Sequence, residues 1–299
     1  MHGGGGAGTA TAQHAGKLAW ALALTATYMV AEVVGGLVTG SLALLADAAH
    51  MLTDVGGLAL ALIAIRFAAR EATPQRTFGY LRMEVLAALA NAVVLLLLTV
   101  YILYEAYQRF VSPPDVLSGP MLLVASIGLA VNLISMRLLA GGSSESLNVK
   151  GAYFEVLSDM LGSIGVILAA FLMMWKGWRL ADPIIGAGIG LFIVPRTFGL
   201  LKQAVHILME GTPANVDVNI LERKLLAVEG VSAVHDLHVW TVTSGFDAMS
   251  CHLVVNDLTT ARSVLKQARS VMRDEFGIDH VTIQVEDEAL RADDALLHV

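Results

Sequence analysis

Ser-Leu-Ala-Leu-Leu-Ala-Asp-Ala-Ala-His-Met-Leu-Thr-Asp, residues 41–54, opens an apolar run that carries His50 and Asp54 four residues apart. A second apolar run carries Glu155 and Asp159 at the same spacing. Four residues of α-helix rise about 6 Å through slightly more than one turn, so each pair projects from one face. An ionisable group at membrane depth costs about 3 kcal/mol or more, so four of them need a function. Two such faces brought together present one imidazole nitrogen and three carboxylates, a donor set suited to a divalent metal ion. Plain interhelical hydrogen bonding is the alternative, and two matched pairs of acids and bases make it a poor one.

Imidazole and carboxylate bind metal only when deprotonated, so metal binding to this set releases protons and protonation expels the metal. The four groups are expected to titrate as a coupled set. Asp47 lies one turn before His50. It reads as a partner behind the ligands, because four ligands already complete a tetrahedral site. Glu32, Asn91 and Asn132 also fall at membrane depth and are explained by interhelical hydrogen bonds.

The 299 residues are 56% hydrophobic and 15% charged, more apolar than an ordinary soluble domain. The apolar residues gather in runs of about 20, the length that crosses a bilayer as a helix. Six spans are expected, over residues 17–39, 41–67, 85–104, 116–136, 152–175 and 183–208, the last interrupted by Pro195 and Arg196. Residues 1–16 are Gly-rich, with His2 and His14, and read as a flexible tail without the pattern of a secretory signal. Basic residues concentrate on the side that holds the termini, so both termini are expected in the cytoplasm. The transport region is then 17–208 and a cytoplasmic domain 209–299. That domain carries 7 Lys/Arg against 15 Asp/Glu. An acidic surface suits cations and argues against nucleic acid. One cysteine, Cys251, excludes an internal disulfide and a Cys-rich zinc site.

From about Gly211 the periodicity changes. Residues 216–228 read as a helix, 231–243 and 246–255 as a hairpin about Ser244-Gly245, 259–276 as a helix and 280–286 as a strand. The order αββαβ predicts a small α+β domain with helices on one face of a sheet, and residues 287–299 are expected to fray. His235 and His238 of Val-His-Asp-Leu-His-Val-Trp (234–240, with Asp236 between them), His252 on the next strand, and His280, Gln284 and Glu286 on the last form a candidate second metal site. Ordinary polarity of a sheet surface is the competing reading.

Residues 41–54 resemble the cation diffusion facilitator family. So do Arg-Thr-Phe-Gly-Tyr-Leu-Arg-Met-Glu (76–84), Ser-Leu-Asn-Val-Lys-Gly-Ala-Tyr (146–153), Glu-Val-Leu-Ser-Asp-Met-Leu-Gly-Ser (155–163) and His-Asp-Leu-His-Val-Trp (235–240). The bacterial zinc–cobalt–cadmium branch is the most similar. The resemblance implies a homodimer of six-span subunits in a bacterial inner membrane, each with a ferredoxin-like, metallochaperone-like cytoplasmic domain. It implies export of divalent cations in exchange for protons, with transport ligands on His50, Asp54, Asp159 and, fourth, Glu155. It implies no cofactor beyond transported Zn²⁺, Co²⁺ or Cd²⁺ and regulatory bound Zn²⁺, and no enzymatic activity. Many zinc-selective members have histidine at the fourth position, and this chain has glutamate. A carboxylate is harder and binds through one or two oxygens, so Zn²⁺ is expected to remain preferred within a broader range. Residues 141–150 lack the histidine run of many eukaryotic members.

A sodium/proton antiporter also needs intramembrane carboxylates, but Na⁺ prefers oxygen to the nitrogen of His50. An intramembrane zinc protease would carry His-Glu-x-x-His with a free general base, and no such sequence occurs. A metal sensor built on the C-terminal domain alone leaves the membrane pairs unexplained.

Overall fold

The computed structural model describes residues 10–52, 55–56, 70–140 and 147–294. The membrane helices are α1 (Ala10–Thr39), α2 (described over Leu42–Leu52), α3 (Met83–Val111), α4 (Ser118–Ala140), α5 (Leu147–Lys176) and α6 (Ala181–Leu208). Among the described residues, Met83–Val111, Ser118–Ala140, Tyr153–Lys176 and Ala181–Leu208 are long and apolar enough to cross a membrane, and Ala23–Thr39 and Leu42–Leu52 are shorter apolar helices. The chain is a multi-pass membrane protein. Pro195 lies inside α6 without ending it. The chain separates into two compact units, Met1–Leu60 with Ala90–Leu200, and Ala61–Leu89 with Leu201–Val299.

In the first unit α4 packs against both α1 and α5. The early residues of α2 join them: Ala43 and Leu44 are buried with Met121, Ala125, Val166 and Ala169. The other side of α2 meets α3 through Leu42, Ala46, Ile102 and Ala106. Alanines at these contacts let helix backbones approach closely, which is the main source of helix association in lipid.

One carboxylate fixes where α2 begins. Gly40, at φ 70°, turns the chain out of α1. Ser41 then accepts from the Leu44 amide, 3.1 Å, as an N-cap serine does. The remaining amide donors of that first turn are satisfied from α6: Leu42 N–H donates to Asp182 Oδ2 at 2.8 Å and Ala43 N–H to Asp182 Oδ1 at 3.1 Å. The Ser41 hydroxyl donates to the same Oδ1 at 2.6 Å. Arg109 at the end of α3 reaches both the Gly40 carbonyl, 2.5 Å, and Asp182, 3.4 Å. Asp182 is fully buried, so the bonds around it are the only solvation it has.

In the second unit the C-terminal elements are α7 (Val218–Leu226), β1 (Val231–Thr243), β2 (Phe246–Val255), α8 (Ala261–Phe276), β3 (His280–Glu286) and α9 (Glu288–Asp294). The expected αββαβ order holds. The strand order is β1-β2-β3, with β1 antiparallel and β3 parallel to the central β2. Met249, Cys251, Leu253 and Val255 of β2 face a core made with Leu221 and Leu225 of α7 and Val264, Ala268 and Met272 of α8. The alternate residues, among them His252, Gln284 and Glu286, therefore share the opposite face. Asp217 caps α7 by accepting from Asn219 N–H at 2.9 Å. Gly277, at φ 69°, closes α8 with Ile278 N–H donating back to the Met272 carbonyl. Two expectations are corrected. Helix α8 begins at Ala261 with Thr260 at its N-cap, two residues later than expected, because Leu258–Thr260 forms a separate 3₁₀ turn capped by Asp257. Residues 288–294 are helical where fraying was expected.

Replacing Asp182 with alanine strands two buried amides and leaves Arg109 without its buried partner. Unfolding of the purified protein in one detergent should then show a loss on the order of 3 kcal/mol. An unchanged unfolding midpoint would contradict this role for the carboxylate.

Candidate metal centre

Of the four residues expected to line the membrane site, the structure brings two into direct proximity. His50 Nε2 lies 3.7 Å from Asp159 Oδ1, across the α2–α5 contact. Both side chains are buried. Neither ring nitrogen of His50 has a hydrogen-bond partner among the described residues, and the same is true of Asp159 Oδ1. A buried donor or acceptor left unpaired costs about 1–3 kcal/mol, so two facing each other at a helix contact mark a place built to receive something. The Phe192 ring meets His50 edge-on at 6.5 Å between centroids and shields one side of the imidazole.

Glu155 sits one turn before Asp159 on α5 and is half-buried. Its Oε1 is 2.5 Å from Arg196 Nη1 on α6. Both Glu155 and Arg196 act electrostatically on His50 and on Asp159. Asp54 lies outside the described residues.

Asp47 is buried behind this pair, facing Ser163 of α5 and Glu32 of α1. Its closeness to α5 depends on Gly162: a Cβ there would lie 2.1 Å from Asp47 Oδ1. Only glycine admits the carboxylate at that point. Glu32 is fully buried and accepts from the Tyr28 hydroxyl at 2.9 Å. Gly128 of α4 makes room for the Tyr28 ring in the same way. Asn132 donates to Ser163 at 3.4 Å and links α4 to the cluster.

The second cluster lies on the sheet face away from α7 and α8. The register places His235 opposite His252, and His252 beside Gln284. Ligand atoms of His235, His252 and Glu286 lie within 4.8 Å of one another. His235 Nε2 contacts Glu286 Oε1, and His252 Nδ1 lies 3.3 Å from Glu286 Oε2. The Glu286 carboxylate is fully buried. Gln284 donates to its Oε2 at 3.4 Å. Between His235 and His238 the ladder is bulged, with Asp236 at φ 50°. The bulge turns Asp236 so that one oxygen accepts from His238 at 2.9 Å and the other lies 3.9 Å from His252. His238 thus reaches the group through Asp236 and does not join the three. His280 does not join either. It shares their sheet face, but six residues of strand separate it from Glu286 by about 20 Å, and it packs against the rings of Phe78 and Phe246. Cys251 points to the helix-covered core, where burial pushes its thiol up to about 12, so it offers no thiolate.

Sequence reasoning named Asp236 only as a member of the motif and did not find the Arg196–Glu155 pair. A lone basic residue inside an apolar span was the signal available for the latter.

Residues 18–209 match the family described as the cation efflux transmembrane domain, and residues 213–288 match the cation efflux protein, cytoplasmic domain. The metal cation efflux system protein CzcD of Cupriavidus metallidurans is 51% identical over 93% of this chain and 88% of its own length. A cadmium, cobalt and zinc/H⁺-K⁺ antiporter of Bacillus subtilis is 45% identical over 90% of this chain and 88% of its own. A solved structure described as the metal-bound C-terminal domain of the CzcD transporter from Cuprividus metallidurans is 39% identical. It covers 24% of this chain and 99% of its own, at a TM-score of 0.23. With both regions matched in order and relatives aligned along nearly its whole length, the chain belongs to the cation efflux family, that of the cation diffusion facilitators.

Proposed function

We propose that this protein exports divalent metal cations from the cytoplasm in exchange for protons, with Zn²⁺ preferred and Co²⁺ and Cd²⁺ accepted. The observation that carries the reading is the buried His50–Asp159 approach at a contact between membrane helices, where neither His50 nitrogen nor Asp159 Oδ1 has a hydrogen-bond partner among the described residues. The transported ion is held by His50, Asp54, Glu155 and Asp159, with Asp47 behind them. Residues 17–208 form the transport domain and 209–299 the cytoplasmic domain. The chain acts as a homodimer in a bacterial inner membrane, both termini in the cytoplasm, and is a transporter and not an enzyme. The names of its relatives as cation efflux proteins and as a proton-coupled antiporter support this direction of reading.

The chemistry follows from the ligand set. From the inner side, the protonated imidazole and carboxyl groups give up their protons to the cytoplasm and, once deprotonated, accept the dication. When the helices reopen outward, protons from the more acidic side take the same lone pairs and the metal leaves. Each ligand thus serves either a proton or the metal, which ties the two fluxes together.

In the cytoplasmic domain, His235, His252 and Glu286 would hold a regulatory zinc ion, with Gln284 orienting the carboxylate and His238 acting through Asp236. Two nitrogens and an oxygen suit Zn²⁺. Changing His252 to alanine should lower the zinc bound per chain by one equivalent while metal transport at saturating zinc continues. Unaltered stoichiometry would remove this site.

Proteoliposomes under an imposed pH gradient test the main proposal. Zinc flux should follow the gradient in the native protein and fall to the background of empty vesicles in Asp159→Ala. In the same vesicles Glu155→His should keep zinc flux and lose most of the cobalt and cadmium flux. Persisting flux in Asp159→Ala would place the transport site elsewhere, and an unchanged metal range in Glu155→His would break the selectivity assignment.

A further inference from the structure

Metal coordination by Glu155 has to contend with a cation that is already there. Arg196 places Nη1 2.5 Å from Glu155 Oε1. Its charge also bears on His50 and Asp159, so it reaches the ligand set as a whole. An arginine inside a membrane helix is costly, and this one follows Pro195, which already removes a backbone donor from α6. Nothing in coordinating a dication asks for such a residue, because a fixed positive charge repels the ion. A guanidinium stays protonated at any pH the protein meets. Unlike a bound proton, it cannot be removed from the site by titration, and it has to be displaced.

We propose that Arg196 is the internal counter-ion of the transport site. In the metal-free state it neutralises Glu155, it yields that carboxylate when a metal ion arrives, and by pairing with Glu155 again it helps expel the ion. This rests on reading His50, Glu155 and Asp159 as transport ligands. It also gives the glutamate at position 155 a purpose: a histidine there would have no charge to exchange with an arginine. A ligand contested in this way binds metal less tightly and releases it sooner. A unit charge about 6 Å from a dication under water-like screening weakens binding about tenfold.

Zinc affinity of the purified full chain in detergent, by competition with a chromogenic chelator, and zinc turnover in proteoliposomes together test this. Arg196→Gln should bind Zn²⁺ about tenfold more tightly and turn over more slowly at saturating zinc. Arg196→Lys, which keeps the charge, should restore both values to near native and also guards against a folding defect in the glutamine variant. In a Glu155→Gln background the tightening caused by Arg196→Gln should be clearly smaller, since there is no carboxylate left to contest. An unchanged or weakened affinity in Arg196→Gln, or the same tightening in both backgrounds, would overturn the proposal. Asp159→Ala separates the two levels of the reading. Loss of one zinc equivalent per chain there, with no effect of Arg196→Gln, rejects the counter-ion alone. Native zinc stoichiometry and affinity in Asp159→Ala reject the transport site and the counter-ion with it.

Discussion

A charge held in a membrane has to be neutralised by a proton, a metal ion or another side chain, because lipid supplies no solvation. The arrangement of this protein follows from that constraint. His50, Asp47, Asp159 and Glu32 are all buried inside the helix assembly. Each stands beside another polar group from a different helix: Glu32 beside Asp47, Asp47 beside Ser163, His50 beside Asp159. On the proposed reading such a set is satisfied in two ways, by protons in one state and by a dication in another, and exchange follows because neither occupant can stay when the other arrives.

Holding such groups together requires helix backbones to approach closely and helix ends to be fixed. Close approach comes from small residues, most directly Gly162, which alone admits the Asp47 carboxylate against α5. Fixing comes from Asp182, whose carboxylate takes over the open amides of the first turn of α2 and draws in Arg109 from α3. Helix α2 carries His50, so the position of that candidate ligand is set by a residue of α6 some two turns of helix away. In the cytoplasmic domain the same economy appears in a sheet: the alternation of β2 sends its odd residues to the helix core and puts His252 on the opposite face, beside His235 and Glu286.

Much of this was legible in the sequence. The three strands fall on the expected residues, because Ser244-Gly245 breaks the β-branched alternation into a hairpin and Gly277 ends α8 before the last strand, both signals of local chemistry. The His50 and Asp159 pairing was legible from i, i+4 spacing within apolar runs. Helix ends were not. Helix α3 runs on through Gln108 and Arg109 to Val111, since the backbone ladder continues past the edge of the apolar window. The short α9 holds one large apolar residue, Leu290, and gave no periodic signal. The pairs Glu155–Arg196 and Ser41–Asp182 were also out of reach, because they join helices far apart in the chain and only packing decides which charges meet. His280 shows the opposite error. Alternation gives the face of a strand correctly, but it does not give distance along it, and His280 sits at the far end from Glu286.

The central claim is that metal and protons compete for the same lone pairs. Its most direct test is proton release measured as zinc is added to the purified protein in weak buffer near neutral pH, together with zinc affinity across the range from about pH 5.5 to 8. Competition predicts that binding releases protons, that affinity falls as the pH is lowered, and that Asp159→Ala removes most of the release. Zinc binding with no proton release and a constant affinity over that range would contradict it.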